Sequence, residues 1–212
     1  MIEATEQISA VERQVGHRTI AAGEARVLTI SQRYRTTIDD LWDACTTSER
    51  LARWFAPVSG DLVLGGRYQV QGNAAGTVER CEPPASFAAT WEFGGEVSWI
   101  EVRLAVEADG WARFTLEHIA HVDDQKWAEF GPGATGIGWD LTLMGLAMHM
   151  NRGGADTREA GMSWMASEDG RRFVTLASDR WLAANITAGT NEDKARAAAS
   201  RCLAFYTGAG PG

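Results

Sequence analysis

The sequence predicts an α+β fold in which a curved antiparallel sheet wraps one long apolar helix and leaves a hydrophobic pocket between them. Three observations carry the prediction. Apolar and polar residues alternate with period two through successive segments between residues 67 and 121. Over Ala134–Met150 the period becomes helical, with apolar residues on two opposite faces. Nine tryptophans, each able to bury roughly 150–250 Å², are enough to organise a core or to line a cavity.

A chain of 212 residues with 45% hydrophobic and 23% charged residues can bury a proper core as one domain with an appendage. Three regions are expected: a polar N-terminal tail at 1–16, the sheet-and-helix domain at 17–152, and a C-terminal helical extension at 153–212 packed on the same domain. The net charge of −8, with no cluster of Lys and Arg, disfavours nucleic acid and anionic membrane as partners. Cys45, Cys81 and Cys202 are far apart and outside any CxxC spacing, so they read as reduced, small hydrophobes rather than a zinc site or a disulfide framework. No cationic start followed by an apolar stretch, and no apolar run of about 20 residues, is present, and a cytoplasmic protein is expected.

Along the chain, Ala22-Gly23-Glu24 is expected to turn a hairpin from residues 18–21 into a strand around Arg26–Arg35, where Leu28, Ile30 and Tyr34 share a parity. Thr37-Ile38-Asp39-Asp40 has the form of a helix N-terminus, opening a short helix that carries Leu41, Trp42 and Cys45 on one side. Ser48 is expected to cap a second short helix, Glu49–Phe55. Gly65-Gly66 then turns into a strand with Tyr68 and Val70 on one face, followed by a weaker strand at Gly76–Cys81. Phe87, Ala89, Trp91 and Phe93 alternate with polar or small neighbours, as do Ile100, Val102, Leu104 and Val106. After Asp109-Gly110, a strong hairpin signal, so do Phe114, Leu116, His118 and Ala120. One wet and one dry face is what an antiparallel sheet covered on one side requires.

In the long helix, Ile137, Leu141, Met144 and Met148 form one stripe and Trp139, Leu143, Leu146 and Met150 another nearly behind it. Gly138, Thr142, Gly145 and His149 lie in one seam, Asp140 and Ala147 in the other. A helix apolar on two faces must be covered on both. The sheet supplies one cover; helices near Asp156–Trp164, Arg171–Ala188 and from Thr190 onward, the last with Ala195, Ala198, Cys202 and Phe205 facing inward, supply the other. A homodimer partner is the alternative cover.

Motifs that carry chemistry are sparse. Gly131-Pro132-Gly133-Ala134-Thr135-Gly136 matches GxGxxG, but the dinucleotide fingerprint needs a parallel strand before it, and here the sheet reads antiparallel; it is read as a loop and helix start. The four histidines are scattered, and no metal set can be assembled from their spacing. His118 shares the inward parity and reads as a core histidine bonded to backbone, with donation to a ligand carbonyl or general-base work as the sharper alternative. Asp140, the one acid in the middle of the long helix, must lie at an open edge or be paired with a donor. Trp42 and the Trp54-Phe55 step plug or gate one end of the sheet, or simply pack in the core.

This order of elements, with Thr37–Trp42, Glu49-Arg50-Leu51-Ala52-Arg53-Trp54-Phe55, the Gly65-Gly66 turn, Thr90-Trp91 in the meander, Leu116-Glu117-His118 and the long C-terminal helix, resembles the START-like (SRPBCC, birch-pollen-allergen-like) superfamily. Within it the match is to the branch named after activators of heat-shock protein 90 ATPase, over about Arg26 to Met150. The resemblance implies a helix-grip fold of about seven strands and a cavity lined by Trp91, Phe93, Leu104, Phe114, Leu116, His118 and the stripe of Leu141, Met144 and Met148. Trp42, Trp54, Phe55, Tyr68 and Val102 complete the candidate pocket. It implies no activity, because members include lipid carriers, polyketide cyclases, hormone receptors and many bacterial proteins of unknown role. The expected function is binding of a small apolar molecule, with no cofactor, no metal and no assigned catalytic residue. A cyclase- or hydrolase-like enzyme using His118 in the same pocket and a co-chaperone-like interaction module are the alternatives.

Overall fold

In a computed structural model, which describes residues 3–21 and 23–208, eight antiparallel strands form one sheet. A short helix α1 (Ala4–Ser9) leads into β1 (Val11–Ile20) and β2 (Gly23–Tyr34). Helices α2 (Ile38–Thr46) and α3 (Ser48–Trp54) precede a meander of β3 (Val58–Gly60), β4 (Arg67–Val70), β5 (Ala75–Glu82), β6 (Ser86–Phe93), β7 (Glu96–Val106) and β8 (Ala112–Ala120). Helix α4 (Asp124–Phe130) and the long α5 (Gly133–Met150) follow, then α6 (Arg158–Met165), α7 (Glu168–Thr187) and α8 (Glu192–Thr207). The strand order is β1-β2-β8-β7-β6-β5-β4-β3, so the β1–β2 hairpin joins the meander through β8. A register shift between Val78 and Arg80 marks a bulge, which bends and twists a sheet edge.

The α+β class and the antiparallel sheet are as the alternation predicts. One strand more than expected is present, the three-residue β3, too short for periodicity to reveal. Over the described residues 3–16 the structure differs from the polar tail expected at 1–16. Glu3 caps α1 by accepting from the Glu6 amide, Ala4, Ile8 and Val11 are buried, and β1 pairs with β2 from Val11↔Gln32 to Ile20↔Gly23. Buried Gln7 exchanges hydrogen bonds with Gln32, so the polar side chains that made this segment look loose are its tertiary contacts. Ala22, in the expected turn, lies outside the described residues.

Caps differ in detail. Thr37 accepts from the Asp40 amide as its motif predicts, whereas Ser48 lies inside α3, behind Thr47. Asp156, where this helix was expected to open, accepts from the amide of Arg158. Asn191, not Thr190, caps α8. Phe205 is exposed, because only one stripe of α8 reaches the core, through Ala195, Ala198 and Cys202.

Helix α5 is buried around most of its circumference, and its one acid explains how it is oriented. Asp140 is fully buried. Arg13 of β1 donates to it from Nε at 3.1 Å and from a terminal nitrogen, and the Trp181 indole of α7 donates at 2.7 Å. Burial pushes the Asp140 carboxyl above the usual range, against the Arg13 guanidinium and the Trp181 N–H. Gly136, one turn earlier on the same face, leaves the room: a Cβ there would stand 2.3 Å from the Trp181 ring. Gly133 meets Cys202 of α8 in the same way, at 3.2 Å. The GxGxxG match is thus explained by helix packing.

Removing one partner of a buried, hydrogen-bonded ion pair leaves an uncompensated charge. Asp140→Ala is therefore expected to cost about 3–5 kcal/mol in urea unfolding, and the double variant Arg13→Met/Asp140→Leu to recover most of that loss.

Candidate functional site

The site is assembled from the bottom by local contacts that hold α2 and α3 across the open side of the sheet. The Trp54 indole donates to the Ala44 carbonyl at 3.0 Å, tying α3 to α2. Arg50 of α3 bridges Asp40 and Asp43 of α2 and donates from Nε to His149 Nε2 of α5 at 3.0 Å. That nitrogen accepts, so the His149 proton sits on Nδ1, which faces the Ala155 carbonyl at 2.7 Å. Gly145 admits α3 closely, since a Cβ there would stand 2.9 Å from the Trp54 carbonyl oxygen. The two short helices are thus held against the C-terminal half of α5.

Between them, the concave face of the sheet and α5 lies a cavity of about 520 Å³. Its walls include Trp42, Trp54, Phe55, Tyr68, Trp91, Val102, Phe114 and Leu116 from the candidate set. Val63 and Leu64, both largely exposed, form part of the lining from the loop between β3 and β4. No Asp, Glu, His, Lys or Arg contributes to the lining. Its hydroxyls are spent on backbone: Thr46 donates to the Trp42 carbonyl, Thr142 to Gly138 and Tyr68 to Thr90 at 2.6 Å. Burial pushes the Cys45 thiol up to about 12 and the Tyr68 phenol, beside Glu92, also to about 12. Both are neutral, non-nucleophilic groups at ordinary pH.

Six of the candidate residues fall elsewhere. Leu104 is packed core outside the cavity. Leu141, Met144 and Met148 do not line it either. They belong to the wrong stripe: with Asp140 and Gly136 turned toward α7, the opposite stripe meets the sheet, and Trp139 with Thr142 occupies the position assigned to them. Phe93 is 59% exposed, because β6 runs out beyond its cover toward the Gly94-Gly95 turn. Phe93 and His118 line a second, more polar cavity of about 780 Å³, which shares Phe55, Trp91, Trp139 and Thr142 with the first.

Residues the sequence reading did not assign to the pocket include Cys45, Phe87, Ile100, Trp139 and Thr142. No local signal marked the last two, because the seam of Gly138, Thr142 and Gly145 lies between the Trp139 and Leu141 stripes and favours neither.

His118 is not bonded to backbone. It accepts at Nδ1 from the Trp139 indole N–H at 3.0 Å, with the rings 5.8 Å apart, and Trp139 in turn lies 5.3 Å from Trp91. Burial lowers the imidazole to about 4. Among the described residues, no group of three or more His, Cys, Asp or Glu could hold a metal ion, and no helix is long and apolar enough to cross a membrane.

A curved antiparallel sheet closed over one long helix, with an apolar space between, is the helix-grip architecture of START-like proteins. The family model of Activator of Hsp90 ATPase homolog 1-like proteins matches residues 35–151, and the chain belongs to that family. CalU16 from Micromonospora echinospora is 35% identical. Its crystal structure superposes with a TM-score of 0.67 over 84% of this chain and 99% of that one. Its solution structure gives 0.70 over 85% and 97%. DynU16, a protein of the dynemicin biosynthetic locus, is 19% identical with a TM-score of 0.54, over 62% of this chain and 49% of that one, and shares the fold. No protein of curated function matches the chain.

The His118 shift sets a pH dependence. The unfolded ring, near 6.5, binds a proton that the folded ring at about 4 refuses. The contribution is therefore intact above pH 6.5 and lost as pH falls toward 4. Folding stability is expected to drop by about 3 kcal/mol across that window. Urea midpoints measured from pH 7 to 4 should fall less steeply for His118→Gln than for the native chain.

Proposed function

We propose that the protein binds one small, largely apolar and aromatic molecule in the cavity between sheet, α2–α3 and α5. The observation that carries the reading is the chemistry of the lining: uncharged, aromatic, and with its Thr46, Thr142 and Tyr68 hydroxyls already donated to carbonyls. Such a wall offers burial and ring contacts and little that would bind a polar solute. A volume of about 520 Å³ is in the range of small-molecule pockets. The family assignment supports the same reading, since the shared architecture encloses a space between sheet and helix.

The enzyme alternative rests on His118. A ring held at about 4, with one nitrogen taken by Trp139, is a weak base at neutral pH and better suited to donating a hydrogen bond. The reading without catalysis is therefore preferred.

The test is binding of N-phenyl-1-naphthylamine, an uncharged aromatic probe, by its own fluorescence and by thermal unfolding. Saturable binding at one site is expected, with stabilisation of about 2.7 kcal/mol at a hundredfold excess over Kd. Ala89→Trp, placed on the cavity wall, should weaken binding roughly tenfold or more by filling the space, at a stability cost of about 1–3 kcal/mol. Absence of saturable binding, or equal binding by the filled variant, would contradict the proposal.

A further inference from the structure

The second cavity differs from the first in a way that specifies the ligand further. It lies beside the first, among the ends of β6, β7 and β8, helix α4, the first turns of α5 and Tyr206 of α8. The shared residues Phe55, Trp91, Trp139 and Thr142 form the partition between the two. Beyond that partition the lining is no longer uniformly apolar: Ser98, His121, Asp123 and Lys126 stand around the second space. At the partition itself stands His118.

The protonation of His118 is fixed by its partner. An indole N–H can only donate, so the Trp139 bond to Nδ1 at 3.0 Å requires a lone pair there. The proton of the neutral ring must then sit on Nε2. That N–H meets no acceptor among the described residues, although His118 as a residue is only 8% exposed. Nor is it sealed in. Among the described residues the enclosed polar side-chain atoms without partners are Thr157 Oγ1 and Trp164 Nε1, so Nε2 keeps an accessible face, and the space His118 lines is the second cavity. A nearly buried donor without an acceptor is costly unless something that binds there satisfies it.

We propose that His118 Nε2–H is the hydrogen-bond donor of the ligand site, and that the molecule bound is an aromatic or polycyclic compound bearing a neutral carbonyl oxygen. The inference rests on the binding reading given above and deepens it. The ring system lies against Trp91 and Trp139 on the side of the first cavity, and the oxygen reaches past the partition to Nε2. A neutral oxygen suits the position better than a carboxylate, because the neutral ring supplies one N–H and no cation, and the Arg26 and Lys126 side chains of this lining are already paired with Asp124 and Glu96. The thiols and hydroxyls of the first cavity offer no competing free donor of comparable strength: Thr46, Thr142 and Tyr68 are bonded to carbonyls, and thiols donate weakly.

The probes are 9-fluorenone and fluorene, planar tricycles of nearly the same size that differ in a carbonyl against a methylene. Tryptophan fluorescence titration is expected to show 9-fluorenone binding roughly tenfold tighter, the scale of one net hydrogen bond. In His118→Phe the preference should shrink to about twofold or less while fluorene binds as before. Because that variant also removes the Trp139 partner, the native chain supplies an independent reading. In the imidazole nitrogen–proton spectrum the free protein should show the proton on Nε2, moved downfield by 9-fluorenone and unmoved by fluorene. Equal affinity of the two probes, a preference that survives in His118→Phe, or an Nε2 proton indifferent to 9-fluorenone would overturn the assignment and leave the apolar cavity standing. Failure of both probes to bind would overturn the cavity reading and this one with it.

Discussion

A carboxylate on the buried side of a mostly apolar, mostly enclosed helix has to be neutralised and hydrogen-bonded, and the way Asp140 achieves this governs the rest of the molecule. Arg13 reaches it from β1 and Trp181 from α7. One side chain therefore joins the first long strand, the central helix and the C-terminal helices. Once Asp140 and Gly136 face α7, the rotation of α5 is set, and the stripe with Trp139 must turn to the sheet. That stripe is flanked by small residues, Gly138, Thr142 and Gly145. The hollow beneath the sheet follows from the pairing behind it.

The space stays open because its walls are supported from outside. Arg50 links α2, α3 and the last turns of α5 in one polar network through Asp40, Asp43 and His149. The large rings of Trp42 and Trp54 are thereby held in the cavity wall. Tyr68 and Thr142 point into the region but spend their hydroxyls on backbone. Polar satisfaction thus lies around the cavity, and the cavity itself is dry in character. Trp139 is shared with the second cavity, which His118 lines and where the chemistry of the lining changes.

Period-two alternation was sufficient to read the meander from β4 to β8 and the burial of Phe114, Leu116 and His118, and capping residues the two short helices, because these are consequences of local spacing. The family was legible for the same reason, since its landmarks are turns and strand faces. The rotation of α5 was not. With apolar stripes nearly opposite, periodicity cannot distinguish which faces the sheet, and the deciding partners, Arg13 and Trp181, are 127 and 41 residues from Asp140. Leu141, Met144 and Met148 were misplaced for that reason. The N-terminal segment was misread because its few apolar residues, Ala4, Ile8 and Val11, are spread over a helix-to-strand junction that no single period describes.

An apolar void between the sheet and the Trp139 face of α5 is the feature on which ligand binding depends. Crystals pressurised with xenon test this most directly, since xenon enters empty apolar cavities and not packed or hydrated ones. The account predicts xenon density among Trp91, Ile100, Val102 and Trp139. Side chains in contact across that space, or ordered waters hydrogen-bonded within it and no xenon, would contradict it.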